Sequence, residues 1–171
     1  MSALVTDRQI EALRALPKRL INSRARAKQQ EKMVTHDYKA ESLDGKRQFS
    51  IYKRQNMLLP DDFSTGIRWT GRRTELTLAR YNGPSHLHRN PIEKDEILFV
   101  SHVHRATERY QVAELKPEGY AVAANYTNLD GAFRQLLSDW NIQSPETPAT
   151  GSLPGGLFLP EAGEGEDDEP G

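Results

Sequence analysis

The chain has 171 residues, of which 36% are hydrophobic; it contains no cysteine and carries a formal net charge of −1. An average domain holds roughly 45–50% apolar residues, so the length allows one domain with a modest core, and the missing thiols exclude disulfides and cysteine-based zinc sites. No apolar run reaches the ~18 residues of a membrane span and no basic-then-apolar leader opens the sequence, so a cytoplasmic location without membrane contact is the expectation.

The low net charge hides a segregation. Residues 143–171 hold seven acids (Glu146, Glu161, Glu164, Glu166, Asp167, Asp168 and Glu169) and no base, which leaves seventeen acids against all twenty-three Lys and Arg in the rest, a balance of about +6. A basic body of this kind matches a polyanion such as RNA. The plainer reading is an ordinary mixed surface with a solubilising tail.

In chain order, Thr6-Asp7-Arg8-Gln9 has the form of a capping box, and Ile10, Leu13 and Leu16 follow at helical spacing. Pro17 breaks or kinks that helix, so two short helices, or one kinked helix, are expected over residues 7–32, the second strongly basic through Arg24, Arg26, Lys28 and Lys32. Gln48–Lys53 alternates, with Phe49 and Ile51 on one face, after an Asp44-Gly45 turn. Residues 56–65 read as a loop, and residues 67–70 and 74–81 as the arms of a hairpin around Gly71-Arg72-Arg73. Ile97–Val100 reads as a short buried strand leading into Ser101-His102-Val103-His104. Thr127 is the expected N-cap of a closing helix whose apolar face is Leu129, Ala132, Phe133, Leu136, Leu137 and Trp140. From Ser144 the composition of Pro, Gly, Thr and acids predicts disorder, with Leu157-Phe158-Leu159 as a small apolar patch able to dock.

The expected fold is therefore α+β: a small antiparallel sheet of about five strands, N-terminal helices, one C-terminal amphipathic helix and a disordered acidic tail. Residues 1–33 form the basic helical segment, 40–142 the α+β domain with the histidine cluster, and 143–171 the tail.

Four of the five histidines fall in two near-copies, His86-Leu87-His88-Arg89 and His102-Val103-His104-Arg105. In an extended segment, side chains two apart share a face, so each copy presents two imidazoles, with Leu87 and Val103 turned towards the core. If the copies lie side by side, the four rings converge, flanked by Arg89 and Arg105. Imidazoles titrate near neutral pH and can move protons. With arginines on the phosphate they can cleave RNA by 2′-hydroxyl attack without a cofactor. In that reading His88, His102 and His104 supply acid–base chemistry, Arg89 and Arg105 hold phosphate, Glu108 orients a histidine, and Asn90, Arg109 and Arg80 bind substrate. Neutral imidazoles also bind divalent transition metals, so His86, His88, His102 and His104 with Glu93 or Glu108 form an alternative zinc, iron or nickel site. The same residues also admit a hydrogen-bonded structural cluster.

Two resemblances attach to these residues. Pro84-Ser85-His86-Leu87-His88, followed by Glu93 and by Asp95–Val100, resembles the first metal motif of cupins, which implies a metal held by His86, His88 and Glu93; the glycine that follows that glutamate in cupins and the second cupin motif are absent. More broadly, residues 45–142 carry Leu-x-Arg-Tyr-x-Gly (Leu78–Gly83), His88-Arg89-Asn90-Pro91, His102-Val103-His104, Glu108, Pro117–Ala121 and a closing helix ending at Asn141-Ile142. This order is similar to a bacterial family with a His-Arg-Asn-Pro element before a His-x-His strand, and distantly resembles the TumE-type toxins of toxin–antitoxin pairs. The resemblance implies His88, Asn90, His102 and His104 as family positions, with His86 extra, and a cognate antitoxin as partner. A non-catalytic binding module of a defence or regulatory assembly, capturing a protein through its basic face or acidic tail, is the other expectation.

Overall fold

A computed structural model of the chain describes residues 3–145. Its elements are α1 (Asp7–Ala15), β1 (Lys18–Leu20), β2 (Lys28–Gln30), β3 (Met33–Ser42), β4 (Gln48–Asn56), β5 (Phe63–Thr70), β6 (Glu75–Asn82), β7 (His88–Arg89), β8 (Glu96–Ile97), β9 (His102–Arg105), α2 (Glu108–Val112), β10 (Tyr120–Ala123), α3 (Leu129–Asp139) and β11 (Ile142–Gln143). Nine strands form one sheet, in the order β10-β9-β6-β5-β4-β3-β1-β11 with β2 also on β3, and β7 and β8 form a separate two-stranded ribbon. The sheet is thus nearly twice the expected five strands. Its pairings are antiparallel except for β1 with β11.

α1 starts as its sequence predicts. The Thr6 Oγ1 accepts from Gln9 N (3.1 Å) while Gln9 Oε1 accepts from Thr6 N (2.8 Å). The expected second helix is overturned. After Pro17, Lys18-Arg19-Leu20 alternates inward, outward, inward and pairs with β3, and Arg19 meets Glu41 across the strands at 2.8 Å. Period-two burial beside a long strand outweighs the basic stretch's tolerance for helix. Lys18 is fully buried: its ammonium donates to the carbonyls of Leu16 (2.8 Å), Arg14 (3.3 Å) and Trp140 (2.7 Å), joining the C-terminal ends of α1 and α3, and lies over the Phe49 ring at 5.0 Å. At α3 the N-cap is Asn128, one residue after the expected Thr127; its side chain accepts from Gly131 N at 2.8 Å.

One face of the sheet is apolar. Phe49 and Ile51 of β4, Phe63 and Ile67 of β5, and Leu76, Leu78 and Tyr81 of β6 pack against Ile10 and Leu13 of α1 and Ala132, Leu136 and Leu137 of α3. A bulge sets what the other face carries. Ile67 pairs with Ala79 but the next residue, Arg68, pairs with Thr77, so Leu78 is an extra residue on β6. Leu76 and Leu78 point to the core, and strict alternation would turn Arg80 inward too. The one-residue slip reverses the parity: Ala79 and Tyr81 are buried in the core, while Arg80 and Asn82 join the open face.

Beyond β6 the chain needs Gly83, where a Cβ would lie 2.4 Å from the Asp61 carbonyl oxygen and 2.6 Å from the Phe63 ring. It then runs through the β7–β8 ribbon. The expected buried strand at Ile97–Val100 is reduced to Glu96–Ile97; Ile97 is buried, but Leu98, Phe99 and Val100 are exposed. Gln143, the first residue of the expected tail, belongs to β11, and the rest of that segment from residue 146, with the Leu157–Leu159 patch, lies outside the described residues. Among the described residues no helix is long and apolar enough to cross a membrane.

Candidate functional site

Strand β9 lies between β6 and β10, and its alternation sends Val103 into the core while His102 and His104 face the opposite side. There Arg80 stands directly across from His104, and Asn82 across from His102. The ribbon folds over this end of the face and brings two more imidazoles. The His88 ring meets His104 at 4.5 Å between centroids and stacks on His102 at 5.7 Å; His86 meets His102 edge-on at 5.2 Å, and His102 meets His104 at 5.0 Å. All four rings thus converge. They differ in access: His102 and His104 are buried, His88 is half-buried and His86 is exposed.

Backbone carbonyls fix the ring tautomers. The Nδ1 of His102 lies 2.9 Å from the Val100 oxygen, and that of His104 lies 3.1 Å from the Glu118 oxygen. A carbonyl only accepts, so both Nδ1 atoms carry the proton and both Nε2 atoms hold a lone pair. The His102 Nε2 is buried without a hydrogen-bond partner among the described residues. His88 has the opposite arrangement: its Nε2 lies 3.1 Å from the Gly119 oxygen and 3.0 Å from Asn90 Oδ1, which leaves Nδ1 as its basic nitrogen. Burial pushes His104 down to about 2, reinforced by the Arg80 guanidinium and the neighbouring imidazoles. His102 is lowered too, first by burial. Burial thus favours the neutral form of both rings, which suits them to accept or hold a hydrogen bond more than to donate a proton.

Asn90 is the clamp beneath this arrangement. It is fully buried; its Nδ2 donates to Asp95 Oδ1 (3.0 Å) and the Ala121 oxygen (2.9 Å), while its Oδ1 accepts from Ala121 N (2.8 Å) and from His88 Nε2. Every donor and acceptor of the amide is used inside the protein, so Asn90 positions His88 and has nothing left for a substrate.

Several expected partners lie elsewhere. Arg105 follows His104 in an extended strand and so points to the opposite face, where it borders a small cavity with Glu11, Arg14 and Asp139. Arg89 likewise alternates away from His88 and is exposed, across the ribbon from Glu96. Glu108 caps helices instead of orienting a histidine: its carboxylate accepts from Asp7 N (3.1 Å), and Asp7 accepts from Glu108 N (2.8 Å). Arg109 is paired with Glu93, and Glu93 also accepts from the buried Tyr110 hydroxyl at 2.6 Å. Glu93 is therefore engaged away from His86 and His88, against the cupin-like arrangement. Among the described residues no group of three or more histidine, aspartate or glutamate side chains is arranged to hold a metal ion.

Comparison with protein-family models, with curated proteins and with solved structures returned no match.

The guanidinium beside the imidazoles is Arg80, and its surroundings include residues that sequence reasoning passed over. Glu118 is buried, with its carboxylate 3.5 Å from both Arg80 Nε and Lys116 Nζ, while its carbonyl holds His104. Arg80, Lys116 and Glu118 form one end of a groove of about 950 Å³ along the open face. Lys28, Lys39, Arg54 and Arg68 extend the same lining, which holds six cations against the two carboxylates of Asp37 and Glu118. A signal for some of these was present in the alternation of Gln48–Lys53: with Phe49 and Ile51 inside, Ser50, Tyr52 and Arg54 must face out.

Proposed function

We propose that this chain binds RNA along the basic open face of its sheet and cleaves it at the histidine end without a metal, as a toxin-like ribonuclease. The observation that carries the reading is the convergence of four imidazoles beside Arg80, in a groove whose lining holds six cations against two carboxylates. Phosphodiester backbones are drawn to such surfaces by charge and displaced counterions.

In the proposed reaction the His88 Nδ1 takes the proton of a ribose 2′-hydroxyl and the 2′-oxygen attacks phosphorus. Arg80 balances the charge on the phosphorane oxygens. The P–O5′ bond breaks, and protonated His86 delivers its proton to the leaving 5′-oxygen. The products are a 2′,3′-cyclic phosphate and a 5′-hydroxyl. His102 and His104, neutral and packed beneath, keep the accessible rings in place.

A second reading, a binding module without catalysis, is favoured by the burial of His102 and His104. One experiment separates the two: full-length protein is incubated with end-labelled RNA, and with DNA of the same sequence, in the presence of EDTA. The expected outcome is RNA cleaved to cyclic-phosphate ends, intact DNA, and a rate lowered roughly 10²–10⁴-fold by His88→Ala. RNA bound but left whole selects the binding module; 5′-phosphate ends, or activity abolished by EDTA, overturn the metal-free mechanism. For the toxin-like role, induced expression in bacteria should slow growth with the wild type and not with His102→Ala plus His104→Ala.

A further inference from the structure

The middle of the open face holds an aromatic ring that the proposed chemistry does not use. Across the sheet, direct partners run Asp37–Tyr52–Gly66–Arg80–His104, one residue each from β3, β4, β5, β6 and β9. Tyr52 is half-buried and leans over its partner: a Cβ on residue 66 would sit 2.6 Å from Tyr52 Cε1 and 3.0 Å from Cζ. Only glycine lets the ring cover that backbone. The ring therefore reaches across β5 towards Arg80, along the groove that both residues line.

Its neighbours on this face are cationic. Arg54 lies two residues along β4, and Arg68 lies two residues from Gly66 along β5, so both share the face of Tyr52. Adjacent rows of partners are about 6.6 Å apart. Asp37, at the far end of the row, is paired with Lys28 and Arg68 with Glu75, both at 3.3 Å, so the ring stands among Arg54, Arg68 and Arg80 with carboxylates on two of them. An aromatic ring on an open sheet, with arginines beside it, offers a base a stacking surface and its phosphates charge partners. A duplex cannot use it, because its bases are already stacked on each other.

We infer that Tyr52, supported by Gly66, is a stacking platform for one unpaired nucleobase, so that the groove takes single-stranded RNA in preference to duplex. The inference rests on the RNA-binding reading and names the form of RNA that fits it. Because every base has a π-face, the platform confers a preference for strandedness and little for sequence.

The test is fluorescence anisotropy of labelled oligouridine, oligoadenosine and a duplex of equal length, with full-length wild type, Tyr52→Phe, Tyr52→Ala and Gly66→Val. Thermal melting of each variant verifies folding. The expected result is that both single strands bind at least about tenfold tighter than the duplex, and that Tyr52→Ala weakens the single strands roughly 5- to 150-fold. Tyr52→Phe keeps their affinity, and Tyr52→Ala leaves the salt dependence unchanged because no phosphate contact is lost. Gly66→Val, which displaces the ring, behaves like Tyr52→Ala. Equal binding of duplex and single strand, or unchanged affinity in folded Tyr52→Ala, overturns the platform. A wild type that binds no RNA overturns the reading beneath it as well. RNA bound through Tyr52 but never cleaved leaves the platform standing and removes only the catalysis.

Discussion

On one side of the sheet Phe49, Ile51 and Ile67 lie buried under the helices; on the other, Ser50, Tyr52 and Arg68, each one residue along the same strands, line an open basic groove. The two faces divide the work of the molecule. The covered face removes apolar area from water and holds the strands together. The open face carries more cations than carboxylates, and the ribbon roofs the part of it where His86 and His88 meet His102 and His104. The bulge in β6 belongs to both, since the same slip that buries Tyr81 presents Arg80.

The comparison is broken most strongly from the covered side. Leu136 of α3 is completely buried, and Leu136→Ala should cost about 2–5 kcal/mol in chemical denaturation. The folded fraction should bind RNA as before; a variant that keeps its stability would show that the helical face is not what holds the sheet. Asn90→Ala tests the roofed part. Loss of the amide leaves Ala121 N and His88 Nε2 without it and should cost about 1–3 kcal/mol. Nitrogen-15 NMR of the imidazoles should also show the His88 Nε2–H signal shifted by loss of one of its two acceptors, with the tautomer still held by the Gly119 oxygen.

The last effect is a slope against pH. Burial pulls Lys18 down to about 7, from about 10.4 in an unfolded chain. The unfolded state then holds the proton more tightly between those values, so stability should rise with pH from about 7 to 10, by at most about 1.4 kcal/mol per pH unit. Lys18→Met should flatten that rise. If the wild-type profile is already flat there, the three carbonyls around the ammonium fully offset its burial.

Much of the covered face was legible in the sequence because it obeys simple periods. The capping box before Ile10, the apolar stripe from Leu129 to Trp140, and the alternation around Phe49 and Ile51 each correspond to an observed element. β3 escaped notice because its inward residues after Tyr38 are Ala40 and Ser42, too small and polar to stand out against Lys39 and Glu41. β1 and β11 are short, and their pairing joins residues far apart in sequence. On the open face the doubled His-x-His pattern announced the meeting of the rings. Its arginines did not follow: Arg105 obeys plain alternation and faces away, whereas Arg80 faces the imidazoles only because of the bulge. The burial of Asn90 depends on a backbone partner at Ala121, which no local pattern reveals.

The pairing of β11 with β1 also fixes a direction. The sheet runs from β10, beside the imidazoles, across to β11, eight strands in line. The sheet curves between them, since Tyr120 of β10 and Asp139 and Trp140, just ahead of β11, border the same small cavity. The margin on the β11 side is a strand of only two residues, too short an edge to template pairing with another chain.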